Sequence, residues 1–185
     1  AFPEGTIMYP NEPIITVYAP LIDAQLIETA ILAQINHQSL IATKAQRIVK
    51  AAKGRVVSDF GARRAHNMDA AVYGARAAYI GGAFGTATLL AGKMFGIPVS
   101  GTMAHSWVMY YQDEYEAFKH YAELYPDNCQ FLIDTYDVMH SGVPNAIRVA
   151  KEVLLPKGKR LLGVRIDSGD LAYLSKRVRA ALDEA

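Results

Sequence analysis

An imidazole, two hydroxyl side chains and a glycine crowd into eight residues, Ser100-Gly101-Thr102-Met103-Ala104-His105-Ser106-Trp107. The stretch follows the short apolar run Ile97-Pro98-Val99 and precedes a helical pattern, which predicts a strand end. Imidazole titrates near neutrality, so His105 can give or take a proton or act as a nucleophile. Gly101 lets backbone approach a ligand, and Thr102 and Ser106 supply hydroxyl donors and acceptors. Three further predicted strand ends carry groups of the same kind. They are Asp59-Phe60-Gly61-Ala62-Arg63-Arg64, Asp134-Thr135-Tyr136-Asp137 and Arg165-Ile166-Asp167-Ser168-Gly169-Asp170. Parallel α/β folds bind ligands at the carboxyl ends of their strands, so all four ends are expected on one rim.

Such a set suits transfer of an anionic group. Arginine forks bind carboxylate or phosphate bidentately, carboxylates beside phosphates commonly hold Mg²⁺, and Phe60 can stack on a flat heteroaromatic ring. Each residue also has a purely structural reading. Phe60 can be core, Arg63 and Arg64 surface charges or partners of Asp59, and Asp134 a turn cap. Asp167 and Ser168 can cap the last helix, where Asp170 also meets a favourable helix N-terminus. Gly81-Gly82-Ala83-Phe84-Gly85-Thr86 fits a phosphate cradle at a helix start or simply a tight turn. Neither a Walker loop nor a dinucleotide GxGxxG with its acidic partner is present.

Bulk properties narrow the class. The 185 residues are 51% hydrophobic and 20% charged, a globular balance, and the net charge of +1 gives no electrostatic case for nucleic acid or an anionic membrane. No apolar run approaches the ~20 residues that span a bilayer. The single Cys129 excludes an internal disulfide and a cysteine metal cage. A cytoplasmic setting is expected.

The elements that would position these residues alternate. Residues 1–20, with four prolines and the β-prone run Ile14-Ile15-Thr16-Val17-Tyr18, read as a loop and strand linking to a missing N-terminal domain. Residues 21–185 read as a partial α/β barrel domain. Its first part holds two helical stretches, one with Ala24, Ile27, Ile31 and Ile35, the other with Ile41, Ala45, Ile48 and Ala52 ending at Gly54. Arg55–Phe60 predicts a strand, Met68–Ile80 a helix and Thr86–Phe95 another. Asp113 caps a helix whose third residue is Glu116, and Pro126 ends it. Phe131-Leu132-Ile133 predicts a strand, Pro144 opens a helix with Ile147, Ala150 and Leu154, and Leu161–Asp167 is the last strand. A helix with Leu171, Leu174, Val178 and Leu182 follows. Short apolar strands alternating with amphipathic helices predict a parallel sheet with about four βα units.

Taken together, Phe60-Gly61-Ala62-Arg63-Arg64-Ala65, Gly101-Thr102-Met103-Ala104-His105-Ser106, Asp134-Thr135-Tyr136-Asp137 and Gly163-Val164-Arg165-Ile166-Asp167-Ser168-Gly169-Asp170 resemble the nicotinate phosphoribosyltransferase family in order and placement. Pro3-Glu4-Gly5 and Pro10-Asn11-Glu12-Pro13 are similar to it too. The resemblance implies part of a (β/α) barrel of the class II phosphoribosyltransferase type, and a homodimer. It also implies transfer of phosphoribosyl from phosphoribosyl pyrophosphate to nicotinate, giving the mononucleotide and pyrophosphate, with Mg²⁺ and coupled ATP hydrolysis. Carried over by motif, Phe60 stacks on the pyridine ring and Arg63 lies near the ring and phosphoribosyl group. Arg165 meets the nicotinate carboxylate with Thr102 beside it, and Asp167 with Ser168 lies near the ribose or metal. His105 matches the histidine that becomes phosphorylated, and Asp134 its carboxylate partner; the resemblance assigns no metal ligand. The family's later glycine-rich phosphate loops and its N-terminal part are not in this sequence, so this chain is not expected to turn over alone. Nicotinamide phosphoribosyltransferase is the nearest alternative, set back by the Arg63-Arg64-Ala65 and Gly101-Thr102-Met103-Ala104 continuations; the basic signature of quinolinate phosphoribosyltransferase is not found. A non-catalytic pyridine-nucleotide-binding domain on the same fold is the alternative from another class, and the pairing of His105 with Asp134 argues against it.

Overall fold

The computed structural model describes residues 1–185, which divide into two compact units, Ala1–Gly101 and Thr102–Ala185. Each is an α/β arrangement in which short parallel strands alternate with longer helices.

In the first unit, helix α1 runs unbroken over Leu21–Ala51, where the sequence suggested two helices. The polar stretch around His37, Gln38 and Ser39 interrupts the apolar spacing, but none of these residues breaks helical backbone. The β-prone run 14–18 makes no strand. It finds no ladder partner beyond the bond from Phe2 N to the Ile14 carbonyl, 2.9 Å. Strand β1 is only Ser58–Asp59, and it pairs in parallel with β2, Gly85–Thr86. Helix α2, Met68–Ile80, connects them and is capped by the Asn67 side chain. Thr86 was expected to begin a helix; it is instead a strand residue, bridged in parallel to Val99, and helix α3 starts later, at Leu89–Phe95. The glycines at 81 and 82 therefore follow the C-terminal end of α2 and open no helix. A Cβ on Gly81 would lie 2.5 Å from the Ala42 carbonyl, so this glycine serves close packing of α2 on α1.

The second unit opens with α4, His105–Tyr110, and α5, Glu114–Leu124, the latter capped by Asp113 accepting from Glu116 N at 2.8 Å, as the sequence predicts. Strand β3, Gln130–Leu132, pairs in parallel with β4, Gly163–Arg165. Between them lie a π-helical turn at Val138–Gly142, helix α6 at Val143–Val149 and a second π-helical segment at Ala150–Leu154. Helix α7, Leu171–Glu184, follows β4 and is capped by Asp170, so Asp167 and Ser168 are not its caps. The core is aromatic at its centre. Phe118 and Phe131 stack with centroids 4.6 Å apart, both fully buried, among Val108, Ala122, Cys129, Ile133, Ala146, Val149 and Leu154. No helix is long and apolar enough to cross a membrane.

The four named strands thus form two separate two-stranded pairs, β1 with β2 and β3 with β4, each within its own unit.

Candidate active site

The register of the second pair builds the site. Leu132 stands opposite Arg165, and the ladder runs one step further through Ile133 N donating to the Arg165 carbonyl at 3.1 Å. In parallel strands this sets Asp134 beside Asp167, just past the paired residues and at the carboxyl ends. The two segments are clamped there. Asp134 Oδ2 accepts from Ser168 Oγ at 2.5 Å and from Asp167 N at 3.1 Å. Its Oδ1 is buried and has no hydrogen-bond partner.

Arg165 joins the same cluster. One guanidinium nitrogen donates to Thr102 Oγ1 at 2.7 Å and another lies 2.8 Å from Asp167 Oδ1. The Arg165 guanidinium beside it holds the Asp167 carboxyl below the ordinary carboxylate range, with His105 adding to the effect against the cost of partial burial.

His105 is the first residue of α4 rather than a residue at the tip of a strand. That short helix is anchored from below. Val108 is fully buried, and Trp107 Nε1 donates to the Ala117 carbonyl at 3.0 Å. The ring is about two-fifths exposed, with one nitrogen toward each of two environments. Nδ1 lies 3.2 Å from Thr135 Oγ1. Nε2 lies 3.6 Å from Asp167 Oδ2 and 3.9 Å from Asp134 Oδ1. Two carboxylates on one side favour a proton on Nε2, which leaves the Nδ1 lone pair to accept from the Thr135 hydroxyl. Asp167, nearer than Asp134, shares the place that the sequence gave to Asp134 alone.

Six of the eight residues singled out from the sequence thus fall into one connected network in the second unit: Thr102, His105, Asp134, Arg165, Asp167 and Ser168. The other two belong to the first unit. Phe60 is 42% exposed immediately after β1, and Arg63 sits in a short 3-10 turn at Ala62–Arg64. Arg63 lines a shallow groove of about 420 Å³ with Asn67, Met68, Thr88 and Leu90. Asp59 shapes this strand end. Its Oδ2 accepts from Thr86 Oγ1 at 2.9 Å, a side chain with no solvent exposure, and its Oδ1 from Gly61 N at 3.0 Å.

Sequence reasoning left out three contributors. Thr135 lies beside Asp134 in the sequence, where the carboxylate is the stronger chemical signal. Asp59 reads from the sequence as a partner for arginine, whereas it binds a hydroxyl and a backbone amide. Glu114 shares helical spacing with Ala117, Phe118 and Ala122, all buried, and that periodicity marks it as an inward-facing acid. Cys129 is no nucleophile here: burial pushes its thiol up to about 12.

Residues 56–183 match the nicotinate phosphoribosyltransferase (NAPRTase) family. The chain belongs to that family. A nicotinate phosphoribosyltransferase of Bacillus subtilis is 59% identical over 184 residues, covering 98% of this chain and 36% of the relative. Nicotinate phosphoribosyltransferase pncB2 of Mycobacterium tuberculosis is 52% identical over 187 residues, covering 100% of this chain and 39% of its own length. Among solved structures, the crystal structure of human nicotinic acid phosphoribosyltransferase aligns with TM-score 0.90 at 31% identity, over 100% of this chain and 46% of that one. A nicotinate-nucleotide pyrophosphorylase of Pyrococcus furiosus aligns with TM-score 0.67 at 32% identity, over 80% of this chain and 38% of that one. The chain therefore spans less than half the length of these nicotinate phosphoribosyltransferase relatives, and every residue of the His105 network lies in the segment matched to the family.

Proposed function

We propose that the full-length protein carrying this chain is a nicotinate phosphoribosyltransferase. It transfers phosphoribosyl from phosphoribosyl pyrophosphate to nicotinate and couples the transfer to ATP hydrolysis. The observation that carries the reading is the His105–Asp167–Arg165 network, built within the segment matched to the family.

In the transfer step the pyridine nitrogen of nicotinate attacks C1′ of the phosphoribosyl group. The C1′–O bond breaks, and pyrophosphate leaves with its electron pair. Arg165 fits the nicotinate carboxylate, since a guanidinium recognises a carboxylate in two parallel hydrogen bonds, and Thr102 and Asp167 hold that guanidinium in orientation. Phe60 supplies a stacking face for the pyridine ring, and Arg63 a cation for the phosphoribosyl group. Asp167 and Ser168 are the polar groups offered to the ribose.

In the coupling step the lone pair on Nδ1 of His105 attacks the γ-phosphorus of ATP, and the bond to the ADP oxygen breaks with its electrons going to ADP. Asp167 and Asp134 stabilise the positive charge that develops on the ring through the Nε2 proton. A phosphoryl group on Nδ1 stands on the side of the ring away from both carboxylates, which limits like-charge repulsion. Water then takes the phosphoryl group and restores the imidazole.

His105, Asp134 and Asp167 come together but are engaged with one another, Arg165 and Ser168 rather than arranged around an ion. Mg²⁺ would enter on the phosphates of the substrates and neutralise their charge, with Asp167 the carboxylate that the family resemblance sets near it. The rest of the full-length protein would close the class II phosphoribosyltransferase barrel, of which this chain supplies about four βα units. A cytoplasmic homodimer is the expected form.

The test is product formation by the full-length protein from nicotinate, phosphoribosyl pyrophosphate and ATP, followed by chromatography. Mononucleotide from nicotinate, with nicotinamide turned over far more slowly, supports the reading. Preference for nicotinamide, or binding of the mononucleotide without ever forming it, would overturn it.

A further inference from the structure

Glu114 is the one acidic side chain of α5 that faces inward, only 3% exposed, and the chemistry above makes no use of it. Its Oε2 accepts from Ser141 Oγ at 2.5 Å, and Asn145 Nδ2 reaches the same hydroxyl at 3.4 Å. Its Oε1 is buried without a partner. An apolar residue would fill this position of the core at lower cost, so packing alone does not ask for a carboxyl here.

The bond to Ser141 leads back to the active site. Ser141 lies in the π-helical turn 138–142, whose last two amides both donate to the Asp137 carbonyl, at 3.0 Å from Ser141 and 2.8 Å from Gly142. Gly142 then packs directly on the strand end: a Cβ there would lie 2.1 Å from the Ile133 carbonyl oxygen. The residues held between these two contacts are Asp134, Thr135 and Tyr136, of which the first two face the two nitrogens of His105. Turns of this π-helical type recur at functional sites.

We propose that Glu114 is a positioning residue for His105, holding the 138–142 turn against Ile133 through Ser141 and so fixing Asp134 and Thr135 around the ring. The inference rests on the reading of His105 as phosphoryl acceptor, and it specifies what keeps that imidazole in one tautomer. Burial pushes the Glu114 carboxyl up from its ordinary range, and the charge of Asp134 pushes it further, against the hydrogen bond from Ser141. A glutamine keeps an acceptor oxygen for the Ser141 hydroxyl and nearly the same shape, so it should replace the carboxyl.

Two readouts separate this inference from the function it rests on. ¹⁵N spectra of histidine-labelled full-length protein report the His105 tautomer without any turnover, the signal being assigned by its loss in His105→Ala. Wild type and Glu114→Gln should show one tautomer, protonated at Nε2, while Glu114→Ala and Ser141→Ala should show a mixture. The second readout is the rate of phosphoryl transfer from γ-labelled ATP. Misplacement by about 1 Å can cost on the order of a hundredfold, so Glu114→Ala should fall about tenfold or more in rate while its KM for ATP moves by about threefold or less. Glu114→Gln should stay near wild type. If Glu114→Ala does not fold, Ser141→Ala, which removes only a hydroxyl, decides the matter. Unchanged tautomers in the folded Ala variants, or a Glu114→Gln variant that behaves like alanine, would overturn the proposal. Failure of wild type to take label would instead overturn the phosphohistidine reading and leave the tautomer test of Glu114 standing.

Discussion

The two units fix their strand-end side chains by different means. In residues 102–185 a fully buried aromatic and aliphatic core, with Phe118, Phe131, Ile133 and Leu154 at 0% exposure, underlies a network of two carboxylates, a guanidinium and an imidazole. In residues 1–101 the 31-residue helix α1 buries only Ala45, and Leu21, Ile22 and Leu26 each stand at least 75% exposed. Phe60 and Arg63 are set there by backbone turns and by one carboxylate, Asp59. Charged groups that must keep one geometry need a stiff base, because interaction energies of buried ions fall away once partners shift. An exposed ring such as Phe60 asks for less: a fixed backbone suffices.

The contrast should appear first in stability. Phe118→Ala removes a ring from a filled core and should cost about 3–5 kcal/mol, whereas Leu26→Ala should stay within about 0.5 kcal/mol. Denaturant midpoints of the two variants check this, and equal losses would break the comparison. Next comes recognition. Arg165→Ala in the full-length protein should weaken nicotinate by about 2–5 kcal/mol, raising its KM roughly thirtyfold or more. The KM for phosphoribosyl pyrophosphate should move far less, and equal shifts would separate Arg165 from the nicotinate carboxylate. Asp59→Ala should cost about 1–3 kcal/mol, the penalty for leaving the O–H donor of the buried Thr86 hydroxyl without its acceptor while its oxygen still accepts from Thr88 N. Asp59→Asn, which retains an acceptor, should recover part of it in the same unfolding assay.

The smallest effect is that of acid on the Asp167 pair. Its carboxyl is held low in the folded chain by Arg165, so the pair contributes stability above the ordinary carboxylate pKa and loses it as pH falls through the lowered folded value. Asp167→Asn should therefore lower the neutral plateau slightly and flatten the acid limb of the stability curve. A variant curve parallel to wild type down to pH 2 would remove the pair from the account.

Much of the second unit was legible because its signals are local. Asp113 followed by Glu116 marks a cap, and apolar runs ending in Asp134 and Asp167 mark strand ends. What joins those ends is register, and no single residue encodes it. The contact of Asp134 with Ser168, and the approach of Asp167 to the imidazole, follow only from Leu132 standing opposite Arg165. The first unit was less legible for opposite reasons. Residues 14–18 carry strand propensity without a ladder partner, and α1 carries a polar interruption without a break in its backbone. Propensity proposes such elements, and pairing or continuity decides them.

The claim that the ring of His105 is poised as a phosphoryl acceptor has a direct test. Full-length protein is incubated with γ-labelled ATP, and the label on protein is followed through acid and base. We predict acid-labile, base-stable label in wild type, slower labelling in Asp134→Asn, and none in His105→Ala, which keeps weak ATP-independent synthesis of the mononucleotide. Undiminished acid-labile label in His105→Ala would move the acceptor elsewhere and leave His105 a structural residue between Thr135 and its two carboxylates.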